Sequence, residues 1–186
     1  MDRSSCSATA SSCISLTTPL VEPAIDPGNA ATVNSNDNIP KVKGRSPLDS
    51  KGNFSLGSQD SLTLPPGTYY FSSFKMSGGA SLTLPGKTVI YCTGDFDAGG
   101  GTILNNTQLP ANCQLYGMGS SFSVGGNSAF YGVVYAPTAD ITRTGNADFY
   151  GVAVGKTLKF SGSGGAHYDE ALGYLDGVPP VTQFVQ

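Results

Sequence analysis

Two carboxylates one residue apart, Asp95 and Asp97 in CTGDFDAGGG (92–101), are the first groups in the chain whose spacing could do chemistry. Oxygens beside glycines suit a calcium loop, but such a loop needs further oxygen ligands at fixed offsets, and the nonapeptide calcium repeat needs its Gly-Gly-x-Gly-x-Asp phase. Neither pattern is met, so both aspartates read as turn residues. A polysaccharide lyase or hydrolase would need two or three carboxylates on one face. Asp140, Asp148, Asp169 and Glu170 fall on other phases of the chain, with no basic residue paired to them recognisably. His167 is the single histidine, which excludes a multi-histidine metal site, and no Gly-x-Ser-x-Gly elbow offers a nucleophile. The sequence therefore predicts no enzyme, no metal and no cofactor, and His167 is expected to help close the C-terminal end.

The four cysteines are the other reactive groups. Cys6 and Cys13 sit close together in a Ser-rich segment, and an even cysteine count fits an oxidising compartment. Cys92 and Cys113 are spaced near one repeat of the pattern described next. Stacked on neighbouring coils they would come within the roughly 4.4–6.8 Å Cα separation of a disulfide. The alternative is a pair of buried thiols acting as small hydrophobes, and the expectation leans to the bond. Lys41, Lys43 and Arg45 are too few for a nucleic-acid patch, and only 12% of the chain is charged, with a net charge of −3.

What must position these groups is a repeat. GNSAFYGVVYAP (126–137) returns as GNADFYGVAVGK (145–156), and SLTLPPGTYYF from Ser61 returns as SLTLPGKTVIY from Ser81. A fainter copy starts at Gly164. The period is about 20 residues, stretched once by NNTQLPANCQ, which reads as a loop. With 25 glycines and 12 prolines punctuating short alternating apolar bursts, this is the pattern of a solenoid of strands. The expected fold is all-β: a single-domain right-handed parallel β-helix of about six coils, residues 57–176, with HYDEALGYL (167–175) as a short cap. Residues 1–56 are expected to be an irregular N-terminal segment, with 1–45 as a linker and lead-in packed along the stack and the coils starting near Phe54, and 177–186 a tail. Inward positions must stack, Leu62 on Leu82 and Phe130 on Phe149. Alternation then turns Tyr131 and Tyr150 outward as a column, either a docking or sugar-binding face or an ordinary stabilising ladder. Thr63 and Thr83 align similarly, but the next coil offers TILNN and the threonine row stops at two coils. No run of about 18 apolar residues spans a membrane.

The runs LTLPPGTYYFSSFKMSGGASLTLPGKTVIYCTGDFDA (62–98) and FYGVVYAPTADITRTGNADFYGVAVGKTLKFSGSGGAHYDEAL (130–172) resemble an uncharacterised bacterial β-helix domain, with Gly-x-x-His-Tyr-Asp-Glu-Ala-Leu as the most specific signature. The resemblance implies the C-terminal part of a pilus-assembly-related protein of the cell envelope, behind an N-terminal membrane helix. That helix is missing here, so the chain is expected to be an excised domain. A weaker similarity, through LTL, the Pro-Gly-x-Tyr turn and the Phe-x-Gly coils, is to the bacterial and fungal ice-binding β-helix. That family carries a long helix beside its coils, for which this sequence has no counterpart. The expected function is a non-catalytic extracellular structural or adhesion module, with surface glycans or envelope and pilus proteins as partners. Ice binding, and carbohydrate binding by the tyrosine ladder, are the alternatives. Nucleic acid is not an expected partner, and a membrane would be met only through a segment outside this chain.

Overall fold

The computed structural model describes residues 22–169 and Leu172. Strands follow the Gly-rich punctuation. The first coil is β1 (Asn53–Leu56), β2 (Ser61–Thr63) and β3 (Gly67–Phe71). The second is β4 (Ser73–Met76), β5 (Ser81–Leu84) and β6 (Thr88–Cys92), and the third is β7 (Phe96–Ala98), β8 (Thr102–Asn105) and β9 (Cys113–Gly117). The fourth begins with β10 (Ser121–Val124). Two long strands, β11 (Phe130–Thr144) and β12 (Phe149–Ser161), each end one coil and begin the next, and β13 (Ala166–Tyr168) closes the last. The result is an all-β solenoid of about six coils at ~20-residue spacing.

All named strand pairings are parallel. Ten strands join in one sheet, because β11 pairs β9 through its first part and β10 through its second, bending between Ala136 and Asp140. β2, β5 and β8 form a separate three-stranded sheet, so the later coils have lost that side. We call the side built from β1, β4, β7, β10 and the ends of β11 and β12 the first face. The side built from β3, β6, β9, the starts of β11 and β12, and β13 is the second face.

Stacking of like on like builds the core. Phe54, Phe74, Phe96 and Phe122 lie one above another inside the first face, with centroids 4.7, 4.1 and 4.3 Å apart and all of them buried. Leu62, Leu82 and Ile103 stack inside the three-stranded sheet. In the duplicated segments Phe130 and Phe149 point inward at 5.2 Å, and Gly132 pairs with Gly151. Gly151 has φ +137°, and a Cβ there would collide with the Gly132 carbonyl oxygen, so the glycine of Phe-Tyr-Gly is required by the coil below it.

The lead-in covers the N-terminal end of the stack. Leu48 bridges Phe54 antiparallel, and Ser55 donates its N–H to the Pro47 carbonyl at 2.8 Å, which occupies the free edge of β1. Asn36 does the same for β3 with its side chain: Nδ2 donates to the Tyr70 carbonyl (2.7 Å) and Oδ1 accepts the Tyr70 N–H (3.2 Å). Before that the chain runs along the outside of the second face, where the Tyr135 hydroxyl donates to the Pro23 carbonyl at 2.6 Å. The stack opens at Asn53, next to Phe54, which supplies an inward ring although NFSL lacks the repeat's wording. The helix-favouring stretch at 167–175 starts as a strand, since 166–168 pair with 149–151. Leu172 then packs against Val133 and Val152 on the outside of the second face.

Candidate functional site

The tyrosine column exists and is longer than two rungs. Tyr131 and Tyr150 stack at 4.7 Å with planes 8° apart, and His167 of β13 continues the column on Tyr150 at 4.6 Å and 13°. Asp148 anchors it. Its carboxylate accepts the Gly165 N–H (2.7 Å) and the Tyr150 hydroxyl (3.2 Å), and lies 3.5 Å from His167 Nε2. These contacts, the Gly165 amide foremost, hold the Asp148 carboxyl below the usual range, and the same carboxylate pushes the Tyr150 phenol up. Stacking spends the ring faces on each other. A sugar ring, which would lie flat on an aromatic face, finds rims between the rungs.

Thr63 and Thr83 are register partners on the three-stranded sheet, with Leu104 opposite Thr83 on the third strand. Beside them run Ser61, Ser81 and Thr102. The threonine row therefore ends in a leucine.

Cys92 and Cys113 are free buried thiols, which corrects the expected bond. Both lie in neighbouring strands, but Cys92 is opposite Gly117 and Cys113 opposite Thr88. The loop ahead of β9 lengthens this coil, so the cysteines sit at opposite ends of the strand pair, on the order of 13 Å apart along it. Burial pushes the thiols up to about 11 and about 12 respectively, which keeps both unreactive. Cys6 and Cys13 lie outside the described residues, as does Glu170.

The aspartates are spent on local bonds. Asp97 accepts the Gly99 N–H at 3.1 Å in its own turn, and Asp95 accepts the Ser121 N–H of the next coil at 3.1 Å. Asp140 accepts the Thr157 hydroxyl at 2.7 Å. Lys43 pairs with Asp60 at 2.6 Å. Among the described residues no helix is long and apolar enough to cross a membrane.

Two features were not read from the sequence. The outer side of the first face carries one in-register row, Ser55, Lys75, Asp97, Ser123, Thr142 and Lys159, one residue per coil. Period-2 alternation around Phe54, Phe74, Phe96, Phe122, Ile141 and Leu158 was the signal available for it. The other is Arg143, 4% exposed at an inward position. Its guanidinium donates to the carbonyls of Gly126, Thr144 and Ala147, at the corner where the later coils have no counterpart of β8, and its Nε has no partner. Loss of hydration lowers its pKa.

Residues 74–175 match the family described as Domain of unknown function (DUF7305). The chain belongs to this family. No curated protein and no solved structure matches it. The DUF7305 region starts at Phe74, in the second coil, and takes in Thr83, the tyrosine column, Arg143 and most of the polar row. Thr63 and the lead-in lie ahead of it.

Proposed function

We propose that this DUF7305 chain is a non-catalytic structural or adhesion module displayed outside the cell, on a bacterial envelope or pilus-associated protein. The observation that carries the reading is the polar row on the first face: six short or charged side chains, one per coil, about 4.8 Å apart over roughly 24 Å. The stacked rings of Phe54, Phe74, Phe96 and Phe122, continued by Ile141, lie beneath it and hold the row stiff, so the row suits an extended partner such as a surface glycan or a neighbouring envelope protein. Asp95 and Asp97, the two carboxylates close enough in the chain to pair, are engaged with the backbone amides of Ser121 and Gly99, and Asp140 with the Thr157 hydroxyl, which supports a non-catalytic role. The resemblance of 62–98 and 130–172 to the envelope domain supports the setting.

An antibody to the folded chain should label intact cells, and Thr142→Tyr should weaken attachment to envelope polysaccharide or partner while leaving the melting temperature in place. Labelling only after lysis would end the display reading. Thermal hysteresis that disappears with Thr63→Tyr or Thr83→Tyr would replace it with ice binding.

A further inference from the structure

The outer polar row borders a groove. Where the first-face strands end, glycines replace side chains at the corners, and from Gly79 to Gly145 four successive corners line one trough of about 360 Å³. Three coil steps make it about 14 Å long, and its volume falls within the range of small-ligand clefts. Gly99 keeps it open beside the row, since a Cβ there would stand 2.5 Å from the Ser123 Oγ. Thr102, Asn127, Ser128 and Thr144 also line it, and their side chains have no hydrogen-bond partner among the described residues. Behind the floor lies a positive charge. Arg143 is 4% exposed, no carboxylate among the described residues pairs with it, and its Nε has no partner. Its Nη1 donates to the carbonyl of Gly126 at 3.3 Å, and a Cβ on Gly145 would stand 2.9 Å from the same nitrogen. The Gly126–Asn127 peptide is trans, so the Asn127 N–H points away from the guanidinium that the peptide's carbonyl meets. That N–H has no partner among the described residues, and the buried cation polarises it.

We propose that this groove binds an extended acidic polysaccharide, with a uronic acid carboxylate on the Asn127 N–H above Arg143 and sugar hydroxyls on Thr102, Ser128 and Thr144. The inference rests on the glycan reading above, takes the polar row as one bank of the groove, and narrows the partner to a polyanion. A buried cation without an anion is costly, and a ligand carboxylate supplies the missing charge. A β-1,4-linked sugar chain suits the trough, because its extended form advances by about one coil spacing per residue. It also presents hydroxyls rather than apolar anchors to a floor that has no side-chain pockets. Asp97, the one carboxylate of the row, lies two coils from Arg143 and is engaged with the Gly99 amide.

Calorimetric titration of the full chain tests this with a hexamer of β-1,4-linked mannuronic acid, a hexamer of β-1,4-linked glucose, and poly-glutamate. The uronic hexamer should bind about tenfold more tightly, or better, than either control. Ser128→Trp, which fills the groove from an exposed position, should remove that binding without moving the melting temperature. Arg143→Met, checked as folded by near-UV circular dichroism, should bring the uronic hexamer down to the affinity of the glucose hexamer. Equal affinity for the two hexamers, or for the uronic hexamer and poly-glutamate, would overturn the proposal. So would binding that Thr142→Tyr weakens and Ser128→Trp leaves intact, which would keep the contact on the row and leave the display reading standing.

Discussion

Tyr131 and Tyr150 stack outside the solenoid at 4.7 Å, directly beside Phe130 and Phe149, which stack inside it at 5.2 Å. The same two coils thus carry two aromatic pairs with opposite surroundings. Truncating Phe130 or Phe149 to Ala removes a buried ring and should cost about 3–5 kcal/mol. Tyr131→Ala or Tyr150→Ala should cost no more than about 1 kcal/mol. Melting or denaturant curves of the four variants measure the contrast, and a reversed order would mean that the strand is slipped by one residue.

The thiols give a chemical check on register. Alkylation of the folded protein should leave Cys92 and Cys113 unlabelled, and alkylation after unfolding should label both. A disulfide-linked peptide containing Cys92 and Cys113 would contradict the Gly117 and Thr88 pairings.

Asn36 stands in for a whole strand at the edge of β3. Asn36→Ala leaves the Tyr70 N–H and carbonyl without their partner and should cost about 1–3 kcal/mol. Asn36→Asp, which keeps the acceptor for the Tyr70 N–H and loses the donor to its carbonyl, should fall between wild type and Ala. Equilibrium unfolding ranks the three proteins.

Asp148 ties the last coil to the tyrosine column, and its folded pKa lies below the ordinary 3.8. A depressed carboxyl stabilises the fold above its unfolded pKa and loses that contribution as pH falls through the folded value. Melting temperature should therefore drop on the acid side below about pH 4, and Asp148→Asn should make that drop shallower. Some acid sensitivity should remain, because Asp49 and Asp60 are also held low, by Asn53 and Lys43 respectively. Scans of both proteins between about pH 2 and pH 7 make the comparison.

Arg143 is the one buried guanidinium among the described residues, and it meets only carbonyls. Arg143→Met should lower stability by about 1–3 kcal/mol through the acceptors it strands. The tyrosine column should remain intact, which near-UV circular dichroism reports.

The solenoid was legible in the sequence because its coils bury the same residue type at the same phase. Leu62 over Leu82 and Phe130 over Phe149 repeat in the chain at the interval at which they stack in space, and the glycines between them mark corners that a side chain would block. The outward turn of Tyr131 and Tyr150 follows from the same alternation. What the linear pattern does not carry is register across an insertion. The interval between Cys92 and Cys113 matches one repeat, but the loop before β9 belongs to that interval, so the strand pairs Thr88 with Cys113 instead. Contacts without periodicity are equally invisible. Asn36 reaching Tyr70, Pro23 meeting Tyr135 and Asp148 joining Tyr150 to His167 each depend on where a non-repeating segment comes to rest against the stack. Tertiary structure also decided which outer row is long. The three-stranded sheet ends at β8, while the first face continues through all six coils, because β11 and β12 turn the corner without leaving a strand behind for the third side.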